Sequence, residues 1–194
     1  GDVDKGQGAL IDLKNAGKIR NLGLSNATLE QIIQDRKMVD IVSVQDRCSP
    51  FDLDYFRNGI IDYCEQQNIA FLAYSPVGGG NGKVRTENSH PLNKVAQAFD
   101  ATPYQTALAW LLEKSPVMIP IPGASRVENA ISSADAMSIK LSDDDMLYLN
   151  QAFGVAKTYI DSINKNLTRS QAHLGYMLIS SPSHIKRNLD FSSS

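Results

Sequence analysis

Cysteine is almost missing from this chain of 194 residues; Cys48 and Cys64 are the only two. Two thiols do not build the disulfide framework of a small secreted fold, so a reducing cytoplasm is the expected setting. Both are read as small, half-buried residues. A marked excess of either charge is also missing. A formal net charge of −2 gives no basis for holding nucleic acid or an anionic membrane. No apolar run approaches the length of a membrane span. The first residues, Gly1-Asp2-Val3-Asp4-Lys5, lack the apolar core of a secretory signal. Histidine is scarce, and none of His90, His173 and His184 follows a strand-like run. The acids Asp143, Asp144 and Asp145 suit the positive end of a helix better than a metal. What remains is ordinary: 42% hydrophobic and 21% charged residues, the balance of one globular domain with a real core.

The stretch around which the chain is organised is Val117-Met118-Ile119-Pro120-Ile121-Pro122-Gly123-Ala124-Ser125-Arg126. An apolar run ends at a Pro-Gly break, and Val127-Glu128-Asn129 opens a helical pattern. A strand that turns into a helix at Gly-x-Ser-Arg gathers backbone N–H groups, a hydroxyl and a guanidinium around one point, which is how a phosphate is held.

Upstream, the same strand-then-helix unit repeats. Ile19–Ser25 reads as a short strand after a helix whose end carries Leu10 and Leu13 on one face. Thr28 and Gln31 form a capping box for a helix to Lys37, with Leu29, Ile32 and Ile33 on one side. Val39–Val44 is a β-branched strand with Gln45 at its end. A helix is expected over 54–68 with Ile60, Ile61 and Cys64 inward. Ile69–Tyr74 is a third strand, closed by Ser75-Pro76. The glycines of Val77-Gly78-Gly79-Gly80-Asn81-Gly82 open a long flexible loop to His90. Helices follow over 92–99 and from Thr102-Pro103 to Lys114, the latter with a cap hydroxyl and proline at its first position. The last strand is Val117–Ile121. A helix through Ala130–Met137 and another capped by Ser142 and Asp145 complete the patterned part. Four apolar strands, each followed by helix, imply a parallel sheet, and polar or special residues at every strand end favour a barrel rim.

Those strand ends carry a family resemblance. Gly17-Lys18-Ile19-Arg20-Asn21-Leu22-Gly23-Leu24-Ser25-Asn26 resembles the Gly-Lys-Ile-Arg-x-x-Gly-x-Ser-Asn block of aldo-keto reductases. Val44-Gln45-Asp46-Arg47-Cys48-Ser49 is similar to the family's Gln-Asn-x-Tyr-Ser segment. Ala73-Tyr74-Ser75-Pro76-Val77-Gly78-Gly79-Gly80 resembles its Tyr-Ser-Pro-Leu-Gly-x-Gly, and Ile119–Arg126 its Ile-Pro-Gly-x-x-Arg. The helix from Thr102 to Leu111 matches the one between them. The blocks stand in the family's order over roughly residues 8–153.

The resemblance implies a β/α barrel of TIM type that passes hydride from NADPH to a carbonyl. It implies that Ser25, Asn26 and Gln45 hold the nicotinamide carboxamide, since amides and hydroxyls both donate and accept. It puts Tyr74 against the nicotinamide ring, and Ser125 and Arg126, beside Gly123, on the 2′-phosphate. The Gly78–Gly82 loop would close over the pyrophosphate, and Ser75 and Pro76 belong with the implied cofactor-binding residues.

The family's catalytic Asp, Tyr, Lys and His belong to the first four barrel strands, and the match begins just before the fifth. This chain is therefore expected to lack the tetrad, and carbonyl reduction needs a proton donor beside the hydride acceptor. The expected fold is α/β, a half barrel over 1–153 with a C-terminal extension over 154–194, partly helical near 170–179 and poorly ordered at its end. Such a half leaves open strand edges and an apolar inner face, so a truncated or partner-completed form is expected, by self-association or a partner chain. A carbonyl substrate is expected only where a catalytic half is supplied. The alternative is a non-catalytic nucleotide-binding or scaffold descendant. Arg47-Cys48 and Ser132-Ser133 depart from the family's usual residues.

Overall fold

The computed structural model describes residues 3–80 and 82–155; the expected extension from residue 156 on, with its helix near 170–179, His173 and His184, lies outside them. Four strands form one sheet in the order β1 (Leu22–Ser25), β2 (Ile41–Arg47), β3 (Ala70–Tyr74), β4 (Met118–Ile121). Every neighbouring pair is parallel. Helix α1 (Val3–Asn15) precedes the sheet and α2 (Leu29–Asp35) follows β1. A 3-10 turn (Asp54–Phe56) and α3 (Ile60–Gln67) follow β2. After β3 come α4 (Gly82–Glu87), α5 (His90–Ala98) and α6 (Pro103–Lys114); after β4 come α7 (Val127–Asp135), a 3-10 turn (Ala136–Ser138) and α8 (Asp143–Ala152). These are the repeating β/α units expected from the sequence.

The helix boundaries follow from local chemistry. Thr28, Thr102 and Ser142 each accept from the backbone N–H three residues on, and the side chains of Gln31, Gln105 and Asp145 accept from the cap residue's own N–H. Each reciprocal pair satisfies two helix-end donors that would otherwise lack partners.

The two sheet faces have different fates because side chains alternate along a strand. Val44 on β2, Phe71 and Ala73 on β3 and Met118 on β4 join the core with Ile32, Ile60, Cys64, Leu92, Trp110, Leu111 and Leu149 from the helices. The opposite face carries Ser25, Gln45, Leu72, Tyr74, Ile119 and Ile121. The two isoleucines of that face remain 47% and 38% exposed.

Several expectations shift. β2 runs on to Arg47, so Gln45 lies inside the strand rather than after it. Pairing with β3 up to Tyr74, and the Cys48 N–H donated to the Tyr74 carbonyl at 3.2 Å, extend the ladder. The helix expected over 54–68 breaks between the 3-10 turn and α3, where Gly59 adopts φ +80° and the Asn58 side chain accepts from the Ile60 N–H. The loop expected up to His90 contains α4, anchored by Thr86 Oγ1 donating to the Val77 carbonyl at 3.0 Å. Only Ile32 of the α2 stripe is buried; Ile33, like Leu10 and Leu13 of α1, is exposed. Cys48 and Cys64 are fully buried, not half-buried. Burial pushes their thiols up to about 12 and about 11, so both are neutral and unreactive.

Candidate functional site at the strand C-termini

Parallel pairing brings the C-terminal ends of all four strands to one edge. Register sets Ser25 beside Gln45, and Gln45 beside Leu72 and then Ile119, as one row across the open face. The next row toward the strand ends is Arg47, Tyr74 and Ile121. The polar residues singled out from the sequence on β1, β2 and β3 therefore share one surface.

Hydrogen bonds tie them together. The Tyr74 hydroxyl donates to Asn26 Oδ1 at 3.1 Å, and Asn26 Nδ2 donates to Ser25 Oγ at 3.1 Å. The Asn26 backbone N–H donates to the Gln45 carbonyl at 3.0 Å. Asn26 and Ser75 both adopt left-handed backbone, at φ +53° and +50°. Two non-glycine residues held in that region, just past the ends of β1 and β3 on either side of β2, are the kind of outlier that marks a functional rim. The Gln45 amide makes no side-chain hydrogen bond among the described residues and is half-buried. An amide ready to donate and accept, beside a hydroxyl and a second amide, fits a planar ligand carrying a carboxamide.

The glycine loop is shaped rather than slack. Gly78 is buried at φ +93°, and its N–H donates to the Ser75 carbonyl at 2.8 Å. A Cβ on Gly82 would stand 2.1 Å from the Val77 carbonyl oxygen, a backbone atom that cannot swing aside. Gly82→Ala should therefore displace the loop while sparing the core. The expected result is a roughly 5- to 30-fold loss of affinity for the dinucleotide that the family resemblance implies, about 1–2 kcal/mol, with far-UV circular dichroism unchanged. Affinity equal to wild type would show that the loop takes no part in binding.

In the sequence Arg47 stands out only as a departure from the family's usual residues, yet it organises this corner. Its Nε donates to Asp52 Oδ2 at 3.2 Å and its Nη2 to the Gly78 carbonyl at 3.2 Å. Asp52 also accepts from Ser49 Oγ at 2.9 Å. The signal available beforehand was position: Arg47 falls two residues after Gln45, on the same face of a strand.

Ser125 and Arg126 stand beyond the end of β4, exposed, with Arg126 as the residue before α7. The Arg126 guanidinium has no hydrogen-bond or carboxylate partner among the described residues. No hydrogen bond among the described residues joins either residue to the Asn26–Tyr74 cluster. Gly123 is exposed, and its absent side chain faces open space. Pro76 is buried in the turn after β3. Among the described residues no group of His, Cys, Asp and Glu could hold a metal ion, and no helix is long and apolar enough to cross a membrane.

Known proteins share this fold. A model of the Aldo/keto reductase family matches residues 2–153. Pyridoxine 4-dehydrogenase of Escherichia coli is 32% identical over 145 residues, which are 74% of this chain and 48% of that protein. Aldo-keto reductase yakc of Schizosaccharomyces pombe, named for NADP(+), is 30% identical over 179 residues, covering 77% of this chain and 53% of its own. The thermostable aldo-keto reductase Tm1743, crystallised with the inhibitor epalrestat, superimposes with a TM-score of 0.67 at 31% identity, covering 75% of this chain and 53% of that one. A Gox0644 variant in complex with NADPH, at 24% identity and a TM-score of 0.64, shows the same fold. The chain spans about half the length of the curated relatives it matches, and its four parallel strands are a partial barrel of the same type.

Proposed function

Because this chain belongs to the aldo/keto reductase family, we propose that it supplies the NADPH-binding part of an oxidoreductase that reduces a carbonyl. The observation that carries the reading is the gathering of Ser25, Asn26, Gln45 and Tyr74 on one open face at the strand ends. Ser25, Asn26 and the uncommitted Gln45 amide would hold the carboxamide. Tyr74, oriented by its bond to Asn26, would pack on the ring. The turn from Ser75-Pro76 to Gly78 would cover the pyrophosphate. Ser125 and Arg126, next to Gly123, would take the 2′-phosphate. Bound NADPH supplies the hydride; these residues only bind it, orient it and keep its reactive face fixed.

A proton donor must stand beside the carbonyl, and no described residue on the open face is suited to that task, since Tyr74 is committed to Asn26. The partner that would complete the site is proposed to be further β/α units, from a second copy or another chain. Two features support this. Ile119 and Ile121 lie exposed on the inner face, and Val127, Ile131 and Met137 stand exposed beyond the β4 end. At the β1 end, Leu10, Leu22, Leu24 and Met38 line an open, mostly apolar groove. Apolar surface of this extent favours cover. The carbonyl substrate depends on that partner. The setting proposed is the cytoplasm, where buried free thiols such as Cys48 and Cys64 persist.

The test is NADPH binding to the full chain, followed by quenching of its tryptophan fluorescence, with Arg126→Ala alongside. Loss of charge-assisted bonds to the 2′-phosphate should weaken NADPH by roughly 10- to 100-fold and NADH by much less. A folded chain that binds neither would overturn the reading and leave the scaffold alternative.

A further inference from the structure

Resting on that reading, we infer that Arg47 is a further cofactor-binding residue: its guanidinium meets the pyrophosphate bridge and, through the Gly78 carbonyl, sets the height of the loop that covers it.

Three observations converge. The first is placement. Arg47 ends β2 on the same face as Ser25 and Gln45, side by side with Tyr74. It lies toward the strand C-termini, beyond the residues that take the carboxamide. A dinucleotide running from that row toward Ser125 and Arg126 past the end of β4 must carry its pyrophosphate past the loop that follows β3. Arg47 reaches that loop from the neighbouring strand.

The second is contact. Arg47 Nη2 donates to the Gly78 carbonyl and lies 3.2 Å from where a Cβ on Gly79 would stand. Ser75 Oγ lies 3.4 Å from the same point. A cation, a hydroxyl and a glycine backbone thus converge where no side chain intrudes, and close approach of a phosphate needs that clearance.

The third is unused capacity. A guanidinium has five N–H donors in a planar fork. Arg47 spends one on Asp52 and one on Gly78, and the remaining donors have no partner among the described residues. The side chain is 47% exposed. Asp52 fixes the fork and screens part of its charge until an anion with two oxygens arrives. A lysine could supply charge there but not the same paired geometry.

Titration of the full chain with NADPH and with adenosine 2′-monophosphate, which carries neither phosphate of the pyrophosphate bridge, tests the assignment. Arg47→Met should weaken NADPH by roughly 10- to 100-fold and the monophosphate by no more than about twofold. Arg47→Lys should recover part of the loss. Asp52→Asn lifts a carboxylate from the guanidinium and should tighten NADPH by roughly twofold at low salt. If Asp52→Asn weakens NADPH as much as Arg47→Met does, Arg47 only pins the loop and the inference is overturned. It is equally overturned if Arg47→Met binds NADPH like wild type. In both cases wild-type binding leaves the proposed function standing; a folded wild-type chain that binds no NADPH removes both. Melting curves of each variant establish that it is folded.

Discussion

Trp110→Ala should be the most damaging single change in the described residues, lowering stability by about 3–5 kcal/mol. The indole is fully buried. Its ring meets Phe56 and Phe153 edge-on, each with centroids 5.5 Å apart. It thereby joins α6 to the 3-10 turn after β2 and to the end of α8. Truncation would open a cavity where three segments meet, and interiors packed at crystal density relax only partly around such a void. A polar cost adds to this. The indole N–H donates to Asn150 Oδ1 at 3.0 Å, and Asn150 Nδ2 already lacks a partner among the described residues. Lys114 Nζ shares the same oxygen at 3.1 Å and lies 5.3 Å from both the Phe56 and Trp110 ring centroids. Burial pulls that ammonium down to about 8, and losing an aromatic wall would let water reach it. Urea denaturation followed by far-UV circular dichroism measures the effect, because the change also removes the only tryptophan. Trp110→Phe, which keeps a ring but not the donor, should cost about 1–2 kcal/mol. A Trp110→Ala midpoint near wild type would mean that the α6–α8 contact does not hold the helix layer to the sheet.

What could be read beforehand was whatever local chemistry decides. The caps at Thr28, Thr102 and Ser142 form the bonds their residue types announce, and the helices begin there. The four parallel strands follow from short apolar runs bounded by turn residues. The strand ends named as a site converge because parallel register leaves them no other course: once Ser25 pairs with Gln45, Asn26 comes within reach of Tyr74. What stayed hidden depended on neighbours distant in sequence. The extension of β2 to Arg47 needs β3 beside it. The helix α4 inside the glycine loop needs the Thr86 bond to Val77, which periodicity does not reveal. The hydrophobic side of α2 reads as a stripe, yet Ile33 lies outside the packing because the sheet meets the helix along a narrower line. Arg47 was visible as an oddity. Its role emerges only when Asp52 and Gly78 fold against it.

Asp46→Asn should stabilise the chain at neutral pH, and the gain should vanish in acid. Asp46 sits between Gln45 and Arg47 but its side chain takes the opposite face of β2, against the helices, where it is fully buried. Neither carboxylate oxygen has a hydrogen-bond partner among the described residues. The Tyr55 hydroxyl and the Asn26 N–H pull the carboxyl's pKa down from outside bonding geometry, and the latter is already donated to the Gln45 carbonyl. Burial dominates and raises the pKa from 3.8 to about 6. The folded state then binds this proton more tightly than the unfolded chain does. Its contribution is fully present below the unfolded value near 3.8 and is lost as pH rises through about 6. The shift corresponds to about 3 kcal/mol at neutral pH. Asparagine has no charge to bury but must leave part of its amide unsatisfied, so the expected net gain is about 1–3 kcal/mol at pH 7.5. Denaturant midpoints of both proteins, taken from pH 4 to pH 7.5, should converge at the acid end and separate steadily above it. Curves that stay parallel across that range would mean that the carboxylate is solvated or paired in solution. They would also remove the reason for expecting β2, the strand that carries Gln45 and Arg47, to be held most firmly when Asp46 is protonated.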